Sequence, residues 1–335
     1  MDYLKTLKNE ELVKISADFD YLSATQDFIG LKLLPMVKTE NMKVAMYNLL
    51  QGSDVPVVAL VHALDSEARI GDRPEYEEIR EELFLIKEKI NQGEELRKKI
   101  KDLGMSGDDA TVVRAIYDDI ANQISKVLAG FERRACEALG TAKLEINENG
   151  AKKTVDYKLS NKNKVDFSGW ADPTHDIVGD LATLKNKSKN KIVRQIVSSK
   201  IMGYMVANNG LKEVAKAQLM PVTQDFIVNY VNSAVGIELI VDDRTFKKSH
   251  SDTTEYRFFP EDVVISLTTR GTVGQTLMTS TPIEDAGTVD STYGFVAVSQ
   301  WTTEDPCTSW TKAEGVGFPV IVDINNTLYL SKITA

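Results

Sequence analysis

The longest periodic pattern along the chain passes through Val113, Ile116, Ile120, Ile124, Val127, Phe131, Ala135 and Leu139, apolar residues recurring at helical steps. It predicts one continuous helix over 109–139. At about 1.5 Å per residue this makes a rod of roughly 45 Å. Asp108 and Asp109 suit the positive end of the helix macrodipole, and Gly140 offers a stop. Gly130, inside the helix, costs about 1 kcal/mol of propensity and marks a bend or a close contact.

Elsewhere the pattern alternates. NMKVAMYNLL, from Asn41, and PVVALVHAL, from Pro56, flank the turn-prone Gly52, Ser53 and Asp54, and Leu83 to Ile90 (LFLIKEKI) regains strand or short-helix character. Between them, Asp65 to Glu82 is polar and acidic without an apolar face, so it projects as a loop or extended ribbon. Strand-like segments on both sides favour a large hairpin that reaches another molecule. The first 22 residues space Leu4, Leu7, Val13 and Ile15 among charges, as a short amphipathic helix or arm would.

After the long helix, KLEINENGAKKTVDYK alternates around Asn149-Gly150, the dipeptide of a type I′ hairpin turn. Asp172-Pro173 reads as an N-cap followed by Pro at the first helical position, with Ile177, Val178, Leu181 and Leu184 behind it at helical spacing. A mixed region runs to about Val235. GIELIVDD, EDVVISLTT, YGFVAVSQW and PVIVDINNTLYLSKI then read as strands, with a turn at Asn325-Asn326. The class is α+β, without internal repeats.

Composition narrows the function. With 335 residues, 42% hydrophobic and 27% charged, the chain is an ordinary globular sequence able to bury a substantial core. A net charge of −9 gives no overall field toward nucleic acid, so any such contact is local. The one basic run, Lys185, Lys187, Lys189, Lys191 and Arg194, alternates with Asn and Ser and lacks aromatic neighbours. It is either a solvated loop or a weak phosphate-neutralising, DNA-facing surface without base readout. No secretory signal or membrane-length apolar run is present, which reads as cytosolic, and Cys136 and Cys307 match neither a disulfide framework nor a zinc pattern.

Signatures that carry enzymatic chemistry (P-loop, G-x-G-x-x-G, G-x-S-x-G, H-E-x-x-H) are missing, and His62, His175 and His250 are scattered. No catalytic residue, cofactor or metal site is assigned. Asp172, His175, Asp176 and Asp180 could be imagined as metal ligands, but helix capping by Asp172 and Asp176 is the simpler account.

Several segments resemble, in the same order, the major capsid protein E family of lambda-like tailed phages, which shares its fold with other tailed-phage and herpesvirus shell proteins. They are LLPMVKTENMKVAMYNLLQGS (Leu33 to Ser53), the long helix with its ERRACEALGTAKLEI ending, Gly169-Trp170-Ala171-Asp172-Pro173 with Asp176-Ile177, EYRFFPEDVVISL, and TEDPCTSWTKAEGVGFPVIVDINNTLYLSKI. The resemblance implies an N-terminal arm (1–40), an extension loop (41–90), a peripheral domain with its spine helix (91–166, helix 109–139), an axial domain (167–235) and return strands of the peripheral domain (236–335). It implies a shell subunit forming pentamers and hexamers around viral DNA, assembled in the host cytoplasm and resident in the virion capsid, without a membrane. Only about 40 residues precede the loop, so a separate scaffolding protein is expected, beside a portal and optionally a decoration protein. An encapsulin-like compartment is the alternative, and a soluble hydrolase a third. On this reading the acidic residues Asp72, Glu75, Glu77, Glu78, Glu81 and Glu82, with Arg73 and Arg80, are either solvated or pair with basic residues of a neighbouring subunit, making assembly salt-sensitive.

Overall fold

The structure, a computed structural model, describes residues 27–49, 76–92, 109–249, 251–289, 291–304 and 308–334. It opens with α1 (Ile29–Leu33), β1 (Met36–Lys38), β2 (Lys43–Leu49), β3 (Tyr76–Glu82) and β4 (Phe84–Gln92). The long helix α2 (Asp109–Thr141) and the hairpin β5 (Lys143–Glu148) and β6 (Ala151–Asp156) follow. Next come β7 (Phe167–Ser168), α3 (Ile177–Lys187), β8 (Arg194–Val197), α4 (Ser199–Ala207), α5 (Asn209–Ala217) and α6 (Gln224–Val235). Strands β9 (Glu238–Val241), β10 (Thr245–Phe246), β11 (Tyr256–Arg257), β12 (Val263–Leu267) and β13 (Gly274–Thr279) lead to α7 (Pro282–Asp285). The chain ends in β14 (Ser291–Tyr293), β15 (Val296–Thr303), β16 (Thr308–Ile321), α8 (Ile324–Thr327) and β17 (Leu328–Thr334). Two compact units emerge, one from Met1–Val44, Glu81–Cys136 and Gly274–Val320, the other from Ala45–Arg80, Glu137–Val273 and Ile321–Ala335. The segments of the amphipathic arm, of PVVALVHAL and of His62, His250 and Cys307 lie outside the described residues.

In the first unit a sheet ordered β1-β13-β16-β15-β14, with β4 also on β16, carries the spine helix α2. The expected stripe is its buried face: Ile120, Ile124, Val127, Phe131 and Ala135 are all buried. The sheet accepts the helix because β16 is glycine-notched there. A Cβ on Gly315 would stand 2.9 Å from the Phe131 ring, and one on Gly317 would stand 3.0 Å from it. Phe84 completes the cluster, 6.0 Å between centroids from both Phe131 and Phe318. Gly130 is a close contact, since a Cβ there would come within 3.1 Å of Ile86 on β4.

The second unit is built on a sheet ordered β7-β17-β12-β8-β9, parallel at both edges and antiparallel in its middle. Helices α3 to α6 contribute to its core, which gathers Trp170, Leu181, Ile201, Met205, Phe226 and Val231. Each of the last three helices starts on a side-chain cap: Ser198 accepts from the Ile201 amide, Asn208 from Leu211 and Thr223 from Phe226. The hairpin turn at Asn149 (φ 48°) and Gly150 (φ 84°) is as expected.

Two local expectations are corrected. The helix after Trp170 begins at Ile177, not behind Asp172-Pro173. Asp172 Oδ1 is held by the Thr174 amide and hydroxyl, both at 2.8 Å, in a turn that lowers its pKa, while Asp176 accepts from Gly179 N at 2.9 Å as the N-cap. Gly140 is not the stop of the spine helix either. The helix runs on to Thr141, and Ala142 at φ 55° turns the chain into β5. Gly140 instead allows close approach, because a Cβ there would stand 2.5 Å from Pro260 Cδ. Gly140→Ala gains about 1 kcal/mol of helix propensity. The clash outweighs it, and a net loss of roughly 1–2 kcal/mol is expected in the unfolding free energy measured by urea titration.

Candidate assembly surfaces

The acidic segment forms one strand of a two-stranded ribbon, β2 with β3. Period-two alternation puts Lys43, Glu78, Arg80 and Glu82 in solvent, whereas Val44 and Met46 are buried and Ile79 and Glu81 half-buried. Lys43 Nζ lies 3.2 Å from Glu82 Oε1, and Arg80 Nε 2.9 Å from Glu78 Oε1. Such exposed pairs contribute at most about 1 kcal/mol each, so these charges add little to stability. Asp72, Arg73 and Glu75 lie outside the described residues, as does the side chain of Glu77.

The basic run does not present five cations together. Lys185 donates its ammonium to the carbonyls of Val235 and Gly236, closing the C-terminus of α6 where Gly236 takes φ 71°. Arg194 Nε pairs with Glu238 Oε2 at 3.1 Å across the parallel strands β8 and β9. Lys191 is half-buried, and Lys187 and Lys189 are exposed. Phosphate neutralisation here would therefore fall mainly to Lys187 and Lys189.

The four residues weighed as metal ligands are used internally. Asp180 Oδ2 accepts from Trp170 Nε1 at 2.7 Å and meets His175 Nε2 at 2.7 Å, locking the buried indole to α3. Among the described residues no group of three or more His, Cys, Asp or Glu stands close enough to hold a metal ion.

Little in the sequence marks a buried carboxylate on the spine helix. Glu132, fully buried, accepts from Gly30 N at 2.9 Å and Leu31 N at 2.7 Å, and Cys136 Sγ lies 3.2 Å from it. It ties α1 to α2 over a hundred residues of sequence. Gly30 fits because a Cβ there would stand 2.8 Å from Cys136 Sγ and 2.9 Å from Glu132 Oε2. The only hint in the sequence was an acid adjoining Phe131 in the apolar stripe.

A charge cluster stiffens the base of the β10–β11 hairpin. Burial pushes the Asp243 carboxyl up, but the Ser199 amide at 3.0 Å and the Arg257 guanidinium outweigh it, leaving Asp243 below the usual carboxylate range. A depressed folded-state pKa stabilises above the unfolded value of about 3.9, and that contribution is lost as pH falls through the folded value. The stability difference between wild type and Asp243→Asn, followed by urea unfolding from pH 6 to pH 2, is expected to shrink in acid. A difference independent of pH contradicts the assignment.

These elements define a class: an α+β chain with a long helix on a mixed sheet, a two-stranded ribbon and a second α+β unit. The same fold is found in phage capsid proteins. The crystal structure of a prophage capsid protein from E. coli CFT073 superposes with a TM-score of 0.65 at 15% identity, over 97% of this chain and 99% of that one. A phage-related protein of Bordetella bronchiseptica RB50 gives 0.54 at 12% identity, over 96% and 95%. The mature capsid of bacteriophage PhiM1 gives 0.50 at 8% identity, over 92% and 87%. No protein-family model and no curated protein matches the sequence. The chain has the phage capsid-protein fold.

Proposed function

We propose that this chain is a structural subunit of an icosahedral phage capsid, forming pentamers and hexamers whose shell encloses viral DNA. The observation that carries it is the fold shared along nearly the whole length of both this chain and the E. coli prophage capsid protein. A shell needs one surface to meet a different surface on the next copy, and such contacts close into rings. The spine helix gives the subunit a rigid reference, and the β2–β3 ribbon supplies an arm that overlaps a neighbour. On this reading the first unit corresponds to the peripheral domain, and the axial domain, expected over 167–235, extends to β9, β12 and β17 of the expected return strands, which share a sheet with β8.

The remaining partners are a separate scaffolding protein, a portal, optionally a decoration protein, and DNA contacted without sequence preference. The virion capsid is the resident location, with assembly in the host cytoplasm. Sedimentation velocity of the purified chain, alone and with its scaffolding protein, is expected to show megadalton particles beside pentamers or hexamers. A single monomer boundary under both conditions would sink the proposal.

A further inference from the structure

The end of the second unit's sheet where β8 begins collects positive charge from segments far apart in sequence. Register sets the row: Leu328 of β17 opposes Leu267 of β12, Leu267 opposes Arg194 of β8, and Arg194 opposes Glu238 of β9. The parallel bridge of Lys164 to Leu330 brings the residues ahead of β7 beside the same end. At about 4.8 Å between neighbouring strands, the row from Lys164 to Glu238 is roughly 19 Å wide. Lys162 and Lys164 stand at one side of it. Toward the other stand Lys187 at the end of α3, Lys189 in the turn that leads into β8, and Arg270 just past β12. All four lysines are exposed, and the Arg270 side chain keeps 60% of its surface. Glu238 is taken by two guanidiniums, with Arg194 Nε at 3.1 Å and Arg270 Nε at 3.8 Å. Among the described residues none of the four lysines has an ion-pair partner. In a chain of net charge −9 this is a local reversal of sign, and gathering like charges costs free energy unless an anion meets them.

We propose that this end of the sheet binds the phosphate backbone of duplex DNA. The inference rests on the shell reading, which supplies DNA as the polyanion, and adds the residues that meet it. A duplex carries one charge per about 1.7 Å of axis, so a row about 19 Å wide faces about eleven phosphates, ample for five cations. The contact is to the backbone and not to bases. Tyr329, the aromatic residue of the row, is buried and offers no face on which an unpaired base could stack. Of the five cations, the basic run along the chain contains Lys187 and Lys189 alone. Lys162, Lys164 and Arg270 join them through strand register.

The test is a titration of a labelled, mixed-sequence duplex with free subunits of the full chain, followed by fluorescence anisotropy. With five phosphate contacts the affinity of the unmodified chain is expected to fall about 500-fold between about 0.05 and 0.2 M salt, a logarithmic slope near −4.5. The variant Lys162→Gln, Lys164→Gln, Lys187→Gln, Lys189→Gln changes exposed positions and is expected to keep its fold by circular dichroism. It is expected to bind about 100-fold more weakly at about 0.1 M salt, with the slope reduced to about −1. A control, Lys212→Gln, Lys216→Gln, Lys247→Gln, Lys248→Gln, removes the same charge from α5 and from the β10–β11 hairpin, and its binding is expected to stay within about threefold of the unmodified chain. A first variant that binds like the unmodified chain, or a control that weakens binding as much, overturns the assignment and leaves the shell reading standing. Poly-glutamate held more tightly per charge than the duplex assigns the surface to an acidic protein and also overturns it. Duplex binding that depends on these lysines, in a chain that forms no particles, supports the DNA contact and removes the shell reading.

Discussion

Glu132→Ala is expected to destabilise the first unit by about 3–5 kcal/mol, among the largest losses any single substitution in this chain would cause. The carboxylate is fully buried and is the acceptor for two backbone amides at the start of α1, at 2.9 and 2.7 Å. Hydrogen bonds to a charged group contribute about 1.5–3 kcal/mol each, and a buried donor left without its acceptor loses its full desolvation cost. Solvent cannot replace the lost oxygens, because Cys136 and Ala135 are themselves buried beside them. The damage should spread along the chain. Leu34 O accepts from Thr276 Oγ1 at 2.9 Å and Pro35 O from Thr276 N at 2.8 Å, so loosening α1 loosens the parallel pairing of β1 with β13. Glu132→Gln keeps the volume but turns an NH2 toward one of the amides, and about half the loss is expected. An unfolding free energy from urea titration within about 0.5 kcal/mol of wild type for the alanine variant would show that Glu132 does not hold α1.

Phe131→Ala is the second. Deleting a fully buried phenylalanine costs about 3–5 kcal/mol, and the upper part of that range applies where the site cannot collapse. Here one wall is the backbone of Gly315 and Gly317, with no side chains to fill the space. The converse substitution is instructive. Gly317→Ala forces a methyl against Met278 Sδ, within 2.9 Å of the Leu277 carbonyl oxygen and 3.0 Å of the Phe131 ring, and a loss of about 2 kcal/mol is expected. Combining it with Phe131→Leu should recover only the part due to the ring, since the Leu277 carbonyl belongs to the backbone of β13. Full recovery in the double variant, measured by thermal unfolding, would place the strain entirely in the side chain.

Where one physical signal dominated locally, the sequence was read correctly. The spine helix followed from a single apolar stripe, the β5–β6 hairpin from an Asn-Gly that alone makes two successive positive φ angles cheap, and β9, β12, β15 and β17 from alternation rich in branched and aromatic residues, whereas the stretch of β4 was left between strand and short helix. The helices α4, α5 and α6 were not separated, because each is short and its face is completed only by the neighbours it packs on. Their caps Ser198, Asn208 and Thr223 were in view but are common residues without a long stripe behind them. Asp172-Pro173 misled because a capping signal competes with an Asx turn, and Thr174 decides for the turn.

Surface function was less legible than fold. Lys185 and Arg194 look like members of a basic patch in sequence, yet the fold spends one on a helix C-terminus and the other on a cross-strand ion pair. The reverse holds for Glu132, where a charge that looks solvated is fully buried. In both cases the deciding partner lies some 50 to 100 residues away, beyond the reach of any local pattern. The stacking of Trp301 on Trp310, with the Lys89 ammonium over the Trp310 ring, is likewise a product of register, because the three become neighbours only when three strands align.

The central claim is that copies of this chain close into a shell. Electron cryomicroscopy of the purified protein under assembly conditions tests it most directly. The account predicts closed particles with rings of five and six subunits, each ring built from this fold and each ribbon lying on an adjacent copy. Monodisperse monomers, or open aggregates without five- and six-fold rings, would contradict it.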